Sequence, residues 1–416
     1  MDRKKIIRII SRYSFLISFL HYVKRLYYTP ERIYYVYVKT PKLVKRMRSK
    51  EFIRVVYVVY ELASWKTENL YLKMCEHHRF SPYILVVPSV ENESEIINVE
   101  TYLKKKKYIY SKLDENETIK EKFHPDIIFY QKPYAGRIDN RLFFQRNLDS
   151  LFCYMSYCFR NTTLHFNQNS LFHNFAWQIY VENKLMQEEL MAFMDNSGKN
   201  TIATGLTVMD ELLKDRKFYN DPWKPCLNRK KIIYAPHHTI LNEITNRSTF
   251  LKYGEFMLEM AEKYKDKVQW AFKPHPLLEP KLRQLWGEEK TNNYYRKWAV
   301  MENSQLEKGE YMGLFKYSDA MIHDSGSFII EYLYTKNPVM YLIEDDKLDK
   351  STNKQTRIAI DVHYKGKTTT EIESFIQNVI EGKDEKKQDR INYFHSYLKP
   401  SGNKTVCENV IDAILG

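Results

Sequence analysis

Short apolar runs rich in β-branched residues recur along this chain, with polar, helix-length segments between them. Residues 53–60 (IRVVYVVY), 83–87 (YILVV) and 126–130 (DIIFY) are three such runs, and 151–157 is a fourth candidate. Strands that are apolar without alternation are buried on both faces, which is the signature of a parallel sheet covered by helices. Helices are expected over 65–78, capped by Ser64, and near 93–105. The segment 218–230 (FYNDPWKPCLNRK) has two prolines, turn formers and no periodicity, so it reads as a linker. A second series then begins, with strands at 231–235 (KIIYA), 268–273 (VQWAFK), 320–323 and 338–343 (PVMYLI) and helices at 250–264, 311–317 and 325–336. The tail from Thr368 reads as helical and polar. The expected organisation is α/β, with one domain over 51–225, another over 226–416 and a cleft between them. Ligands in such sheets bind beyond the carboxyl ends of the strands.

The chain has 416 residues and 44% apolar composition, which suits two or three domains and excludes global disorder. No apolar stretch reaches the about 18 residues of a membrane span, and no signal-like cleavage site is visible. Five cysteines without paired spacing fit a reducing cytoplasm. The formal charge is +13. Residues 1–50 hold 14 Lys+Arg against Asp2 and Glu31, so they carry +12, and the remaining 366 residues carry +1. A body this close to neutral does not form a nucleic-acid groove. On a helix, Ile6, Ile9, Ile10, Tyr13, Ile17 and Leu20 share one face, with Lys4, Arg8 and Arg25 opposite. Such a segment, taken here as residues 1–50, suits an anionic membrane surface; a surface helix docked on the core is the competing reading.

Three segments share a strand end running into a loop or helix start: Tyr234-Ala-Pro-His-His-Thr239, Phe272-Lys-Pro-His-Pro276 and Ile322-His-Asp-Ser-Gly-Ser327. Parallel strands would bring all three to one edge, converging His237, His238, Lys273, His275, His323 and Asp324. Ser325 and Ser327 are capping types and Gly326 permits close backbone approach, so exposed N–H groups there suit a phosphate or diphosphate. Glu331 is placed to accept from ribose hydroxyls. Equally, Ser-Gly-Ser can simply cap a helix, and His275, fixed between two prolines, can simply close a loop. As a functional group, His275 beside Lys273 suits neutralising a diphosphate leaving group, with His237 and His238 as a base or further phosphate contacts. The histidines and Asp324 are also plausible zinc or manganese ligands, but no HExxH or HxHxD spacing occurs and Lys273 opposes a cation. The expectation is therefore no metal and no cofactor.

These motifs, together with Glu331-Tyr and Asn337-Pro-Val-Met-Tyr341, have an order and spacing that resemble the CDP-glycerol glycerophosphotransferase family of teichoic-acid and capsule synthesis. The resemblance is clearest over about residues 225–345. It implies a GT-B-like fold, two Rossmann-like domains facing across a cleft, with the donor on the C-terminal side. It also implies a transferase moving glycerol phosphate, or a related polyol phosphate, from a CDP-linked donor to a lipid-linked glycan or polysaccharide. By position, His275 matches the family's Lys/Arg-Pro-His-Pro histidine, and Asp324, Ser325 and Ser327 match its Asp-Tyr-Ser-Ser stretch. Two departures stand out. Ser325-Gly326 is closer to the Asp-Ser-Gly-Gly of nucleotide-sugar GT-B enzymes, and the family's Trp-His-Gly-Thr motif is replaced by Cys153-Tyr-Met-Ser-Tyr157. A nucleotide-sugar transferase and a non-catalytic membrane-associated scaffold of the same fold are the alternatives. The expected location is cytoplasmic, peripheral on the inner face of a bacterial cell membrane.

Overall fold

A computed structural model of the chain describes residues 23, 26–88, 95–132, 140–163, 168–225, 228–241, 247–344, 348 and 351–416. Two all-parallel sheets organise it. The first contains β1 (Ile53–Val59), β2 (Phe80–Val86), β3 (Tyr110–Ser111), β4 (Ile127–Tyr130), β5 (Leu151–Met155), β6 (Gln178–Tyr180) and β7 (Thr201–Ile202). The second contains β8 (Lys230–Ala235), β9 (Val268–Phe272), β10 (Ser304–Leu306), β11 (Ala320–His323), β12 (Val339–Leu342) and β13 (Tyr364–Gly366). Their orders are β3-β2-β1-β4-β5-β6-β7 and β10-β9-β8-β11-β12-β13. Each sheet therefore runs outward in both directions from a central pair, β1/β4 and β8/β11, and a crevice opens at that reversal.

The apolar runs become strands because both of their faces are covered. Every residue of β4, β5, β9, β11 and β12 is buried. Several expectations need correction. Ser64 does not cap a helix: it ends a single 3-10 turn, Leu62–Ser64, and its hydroxyl donates to the Glu61 carbonyl at 3.3 Å, while the helix begins at Glu68. The single helix expected over 325–336 is one α turn, Phe328–Glu331, followed by a 3-10 turn, Tyr332–Thr335. Its residues 329–334 are all buried, so no amphipathic face sets a helical register. Neither Ser325 nor Ser327 acts as a side-chain cap there; Ser327 precedes the turn without a capping hydrogen bond. Helices Leu278–Trp286 and Glu288–Val300 and the short strands β3, β6, β7, β10 and β13 were not expected; strands of two or three residues carry too little pattern to be seen.

The basic segment divides. Residues 1–22, with Ile6, Ile9, Ile10, Tyr13, Ile17 and Leu20, lie outside the described residues, as do 24 and 25. From residue 26 the chain is helical through a π turn, Tyr34–Lys39, into Thr40–Arg48. This part is docked: Tyr35, Leu43 and Met47 are buried, Tyr35 stacks on Phe152 at 5.4 Å, and its hydroxyl donates to Ser150 O at 2.6 Å. At the other end of the chain, helix Val406–Leu415 returns to the first sheet. Val406, Val410 and Ile414 are buried in the same apolar cluster as Tyr57 and Val58, and Asp210 accepts from the backbone N–H groups of Val406 and Cys407 at 2.7 and 3.0 Å. No helix among the described residues is long and apolar enough to cross a membrane.

Three fully buried histidines contribute to how stability depends on pH. Burial pushes His173 and His363 down to about 3 and takes His323 well below its usual value. The unfolded chain then binds more protons than the folded one below about pH 6.5, so this stabilisation is complete above 6.5 and is lost as pH falls toward 3. Each group contributes a slope of up to about 1.4 kcal/mol per pH unit. Glu331, raised to about 7 by burial, has the opposite sign, its contribution being lost as pH rises. Urea unfolding at pH 7.5, 6 and 5 should show falling stability, and His363→Gln should flatten that fall; an unchanged slope would refute the assignment.

Candidate active site

The loops after β8, β9 and β11 meet at the crevice of the second sheet, because parallel pairing puts their carboxyl ends side by side. Asp324, fully buried, holds them together. One carboxylate oxygen accepts from the backbone N–H of His237, and the other accepts from Thr249 N at 2.6 Å and Thr249 Oγ1 at 2.9 Å. Asp324 thereby joins the end of β11, the loop after β8 and the start of helix Phe250–Lys263. Burial raises its carboxyl to about 6 against these hydrogen bonds, which pull it down. His323 lies beneath this turn. It is fully buried, with its Nδ1 3.1 Å from Ser325 O and its ring edge-on to Tyr341 and His363. It shapes the turn rather than facing the crevice.

His237, His238 and His275 form one cluster, with ring centroids 4.3, 5.3 and 4.2 Å apart. Their potential ligand atoms all lie within 4.8 Å of one another. Which ring nitrogen carries the proton follows from the partners of each Nδ1. His275 Nδ1 accepts from the backbone N–H of Leu277 at 3.1 Å. His238 Nδ1 lies 2.7 Å from Lys281 Nζ, and an ammonium can only donate. Thr239 Oγ1 already accepts from Arg247 N and Ser248 N at 3.0 and 3.2 Å, so its proton goes to His237 Nδ1, 3.0 Å away. All three neutral rings therefore carry their proton on Nε2. Burial, then neighbouring histidines and cations, lowers His237 to about 3 and His275 to about 4, so both stay neutral at physiological pH. A cluster of Nε2–H donors beside Lys281 suits an anion. A metal ion would need the Nε2 lone pairs, and each Nδ1 would then carry a proton facing another donor.

The remaining expected residues are placed unevenly. Gly326 is where the chain crowds the crevice: a Cβ there would lie 2.5 Å from Asn161 Nδ2 and 2.9 Å from Arg247 Nη1. Ser325 is buried and Ser327 exposed. Lys273 is buried and spends its ammonium on the Gly309 carbonyl, 2.8 Å away, over the Tyr311 ring. Glu331 is buried at the seam between the two sheets, bonded to Tyr311 and near Lys66, with Oε2 unpartnered among the described residues. Sequence reasoning missed Arg247 and Asn161. Arg247 has a buried Nη2 with no partner among the described residues, and its position just ahead of a helix start at a strand's carboxyl edge was the available signal. Asn161 comes from the loop after β5 of the first sheet, and nothing local announced that it would reach Gly326.

A family model described as CDP-glycerol:poly(glycerophosphate) glycerophosphotransferase matches residues 160–416, more than half of the chain. The chain belongs to that family. It is accordingly a glycerophosphotransferase-like enzyme, as the motifs of the second sheet implied. None of the curated proteins matches its sequence. Among solved structures, a histidine-to-asparagine variant of the wall teichoic acid polymerase TagF is similar with a TM-score of 0.56 and 13% identity, covering 96% of this chain and 96% of that one. The same variant soaked with CDPG gives 0.57 and 14%, with 96% of each chain covered. MnaA of S. aureus in complex with UDP gives 0.57 at 13% identity, covering 87% of this chain and 96% of that one. At these identities the likeness establishes the GT-B-like fold alone. In this family member the buried Asp324 is a direct test of the crevice. Asp324→Asn sets an amide NH2 against backbone donors and should cost about 1–3 kcal/mol in urea unfolding; no loss would remove Asp324 from its central position.

Proposed function

We propose that the enzyme transfers glycerol phosphate, or a related polyol phosphate, from a CDP-linked donor to a hydroxyl of a lipid-linked or surface-polysaccharide acceptor. The observation that carries this reading is the set of three imidazole Nε2–H donors beside the Asp324-Ser-Gly turn and Arg247. That arrangement matches two adjoining phosphates better than a neutral or cationic ligand. The acceptor oxygen attacks the donor's β-phosphorus in line, and the bond to the bridging oxygen breaks, releasing CMP. His275, His237 and His238 stabilise the charge developing on the phosphates, with Arg247 opposite. Ser325, Gly326 and Ser327 line the donor side, and Glu331 is the candidate for the ribose hydroxyls. Lys273 and His323 support the loops that carry these groups. The TagF structure soaked with CDPG has this fold, which supports a CDP-linked donor here.

A nucleotide-sugar donor is the second reading, favoured by Ser325-Gly326 in place of the family's Tyr-Ser. A panel of CDP- and UDP-linked donors, scored by CMP or UDP release, separates the two. His275→Ala should lower turnover about 100–1,000-fold in a folded protein. A loss under about fivefold would make His275 structural.

The docked N-terminal helix supports work at an anionic membrane. Leu26, Tyr27, Ile33, Tyr34 and Tyr37 are exposed at helical spacing, from 49% to 77%, beside Lys42, Lys45, Arg46 and Arg48. Cations near an anionic surface contribute about 1 kcal/mol each within a screening length of about 8 Å. A chain shortened to residue 51 would lose Tyr35, Leu43 and Met47 and uncover Phe152, so surface substitutions are the better test. Tyr27→Ser, Tyr34→Ser and Tyr37→Ser together should reduce sedimentation with phosphatidylserine vesicles while leaving donor binding intact. Wild-type protein that ignores such vesicles at low salt would refute membrane attachment.

A further inference from the structure

Two of the three clustered rings take their orientation from one helix, Leu278–Trp286, which follows the His275 loop. The helix is seated by Leu278 and Leu282, both fully buried. The loop before it is tied to the loop after β8, because His275 N donates to Pro236 O at 3.0 Å. Leu277, at the helix start, gives its backbone N–H to His275 Nδ1 at 3.1 Å. Lys281 comes four residues later and so lies on the same side of the helix. Its ammonium ends 2.7 Å from His238 Nδ1.

Lys281 is half-buried, and its charge acts on the whole cluster. Added to burial, which is the larger cause, it helps to keep His237 and His275 neutral. Its main effect is on the ring it touches. A neutral imidazole can carry its proton on either nitrogen. With the proton on Nδ1, Nε2 would turn a lone pair toward a phosphate oxygen, and two acceptors repel. An ammonium at Nδ1 removes that tautomer, because two donors would then face each other. It disfavours the imidazolium for the same reason. His238 is left as an Nε2–H donor. The two ring nitrogens point in divergent directions, so Lys281 stands behind His238 as seen from an anion held by the Nε2–H groups.

The geometry points to Lys281 as a positioning residue for the nucleotide-linked donor: it acts through His238, fixing the tautomer that donates to a phosphate oxygen, and does not itself touch the donor. This rests on the transferase reading above for the identity of the anion, while the tautomer of His238 does not depend on it. Each ring of the cluster thus has its own fixed Nδ1 partner. For His275 it is the Leu277 backbone, for His237 the Thr239 hydroxyl, and for His238 the Lys281 ammonium. Of these, only the last brings a full charge.

The test reads the protonation of His238 in the full chain by nitrogen NMR of isotopically labelled histidines, with His238→Gln assigning the ring, and measures CDP-glycerol affinity by calorimetry. Wild-type His238 should show a bare Nδ1 and a protonated Nε2. In Lys281→Met, Nδ1 should carry a proton in part of the population, and affinity should fall about tenfold, the scale of one charge-assisted hydrogen bond. Lys281→Arg can still donate, so it should restore the bare Nδ1 and most of the lost affinity. Wild-type His238 with its proton on Nδ1 overturns the proposal, whether or not any variant folds. A folded Lys281→Met protein in which Nδ1 stays bare also overturns it: lost affinity would then make Lys281 a direct phosphate contact, and unchanged affinity would make it structural. A protonated Nδ1 with unchanged affinity overturns the role in donor binding. Wild-type protein that binds no CDP-glycerol overturns the CDP-linked donor, and the role assigned to Lys281 with it. Wild-type binding together with an unmoved Nδ1 in Lys281→Met overturns this assignment alone.

Discussion

One buried carboxylate organises the second sheet's crevice. Asp324 has no exposed surface, and its oxygens are shared among three donors from two other chain segments. A buried polar group is tolerable only when satisfied, so the loop after β8 and the start of helix Phe250–Lys263 are constrained to where their N–H groups meet it. Everything near this crevice inherits that constraint. His237 is fixed through its own backbone, and Thr239 is fixed by accepting from Arg247 and Ser248. His238 and His275 then pack against His237, the first tilted and the second edge-on.

The two sheets are joined by a buried apolar cluster that continues from one to the other, with Phe159 against Tyr334, by one returning helix and by a small group of polar contacts. Asn353 donates to Arg160 O at 2.8 Å, Thr163 N to Ser351 O at 2.6 Å, and Asn183 to Gln355 at 2.8 Å. These bonds bring the loop after β5 against the segment after β12, which is how Asn161 reaches Gly326. Helix Val406–Leu415 then buries its apolar face on the first sheet, so this last helix stabilises the sheet that the earlier part of the chain builds.

Electrostatics divides the labour across the cleft. The second sheet presents N–H donors and Arg247, suited to anions. The first presents amides, hydroxyls and a neutral imidazole, with its arginine already paired to Glu182. Neutrality on both sides comes from burial, which keeps imidazoles uncharged where water is excluded.

The sequence by itself determined the α/β class, both strand series and the three strand-end motifs, because doubly buried strands are apolar throughout and short enough to read. It also determined the family, since Lys273-Pro-His-Pro and Ser318 to Phe328 are contiguous and specific. It gave the wrong account of Ser64 and of 325–336, where capping types were present but the turns were set by tertiary burial instead. It could not reveal that Lys273 would turn to Gly309, that all three clustered rings would carry their protons on Nε2, or that Asn161 would reach the Asp324 turn from the loop after β5. Those outcomes depend on which partner each polar atom meets once the chain is folded. Such partners are distant in sequence and leave no periodicity in it, so only the tertiary structure decided them.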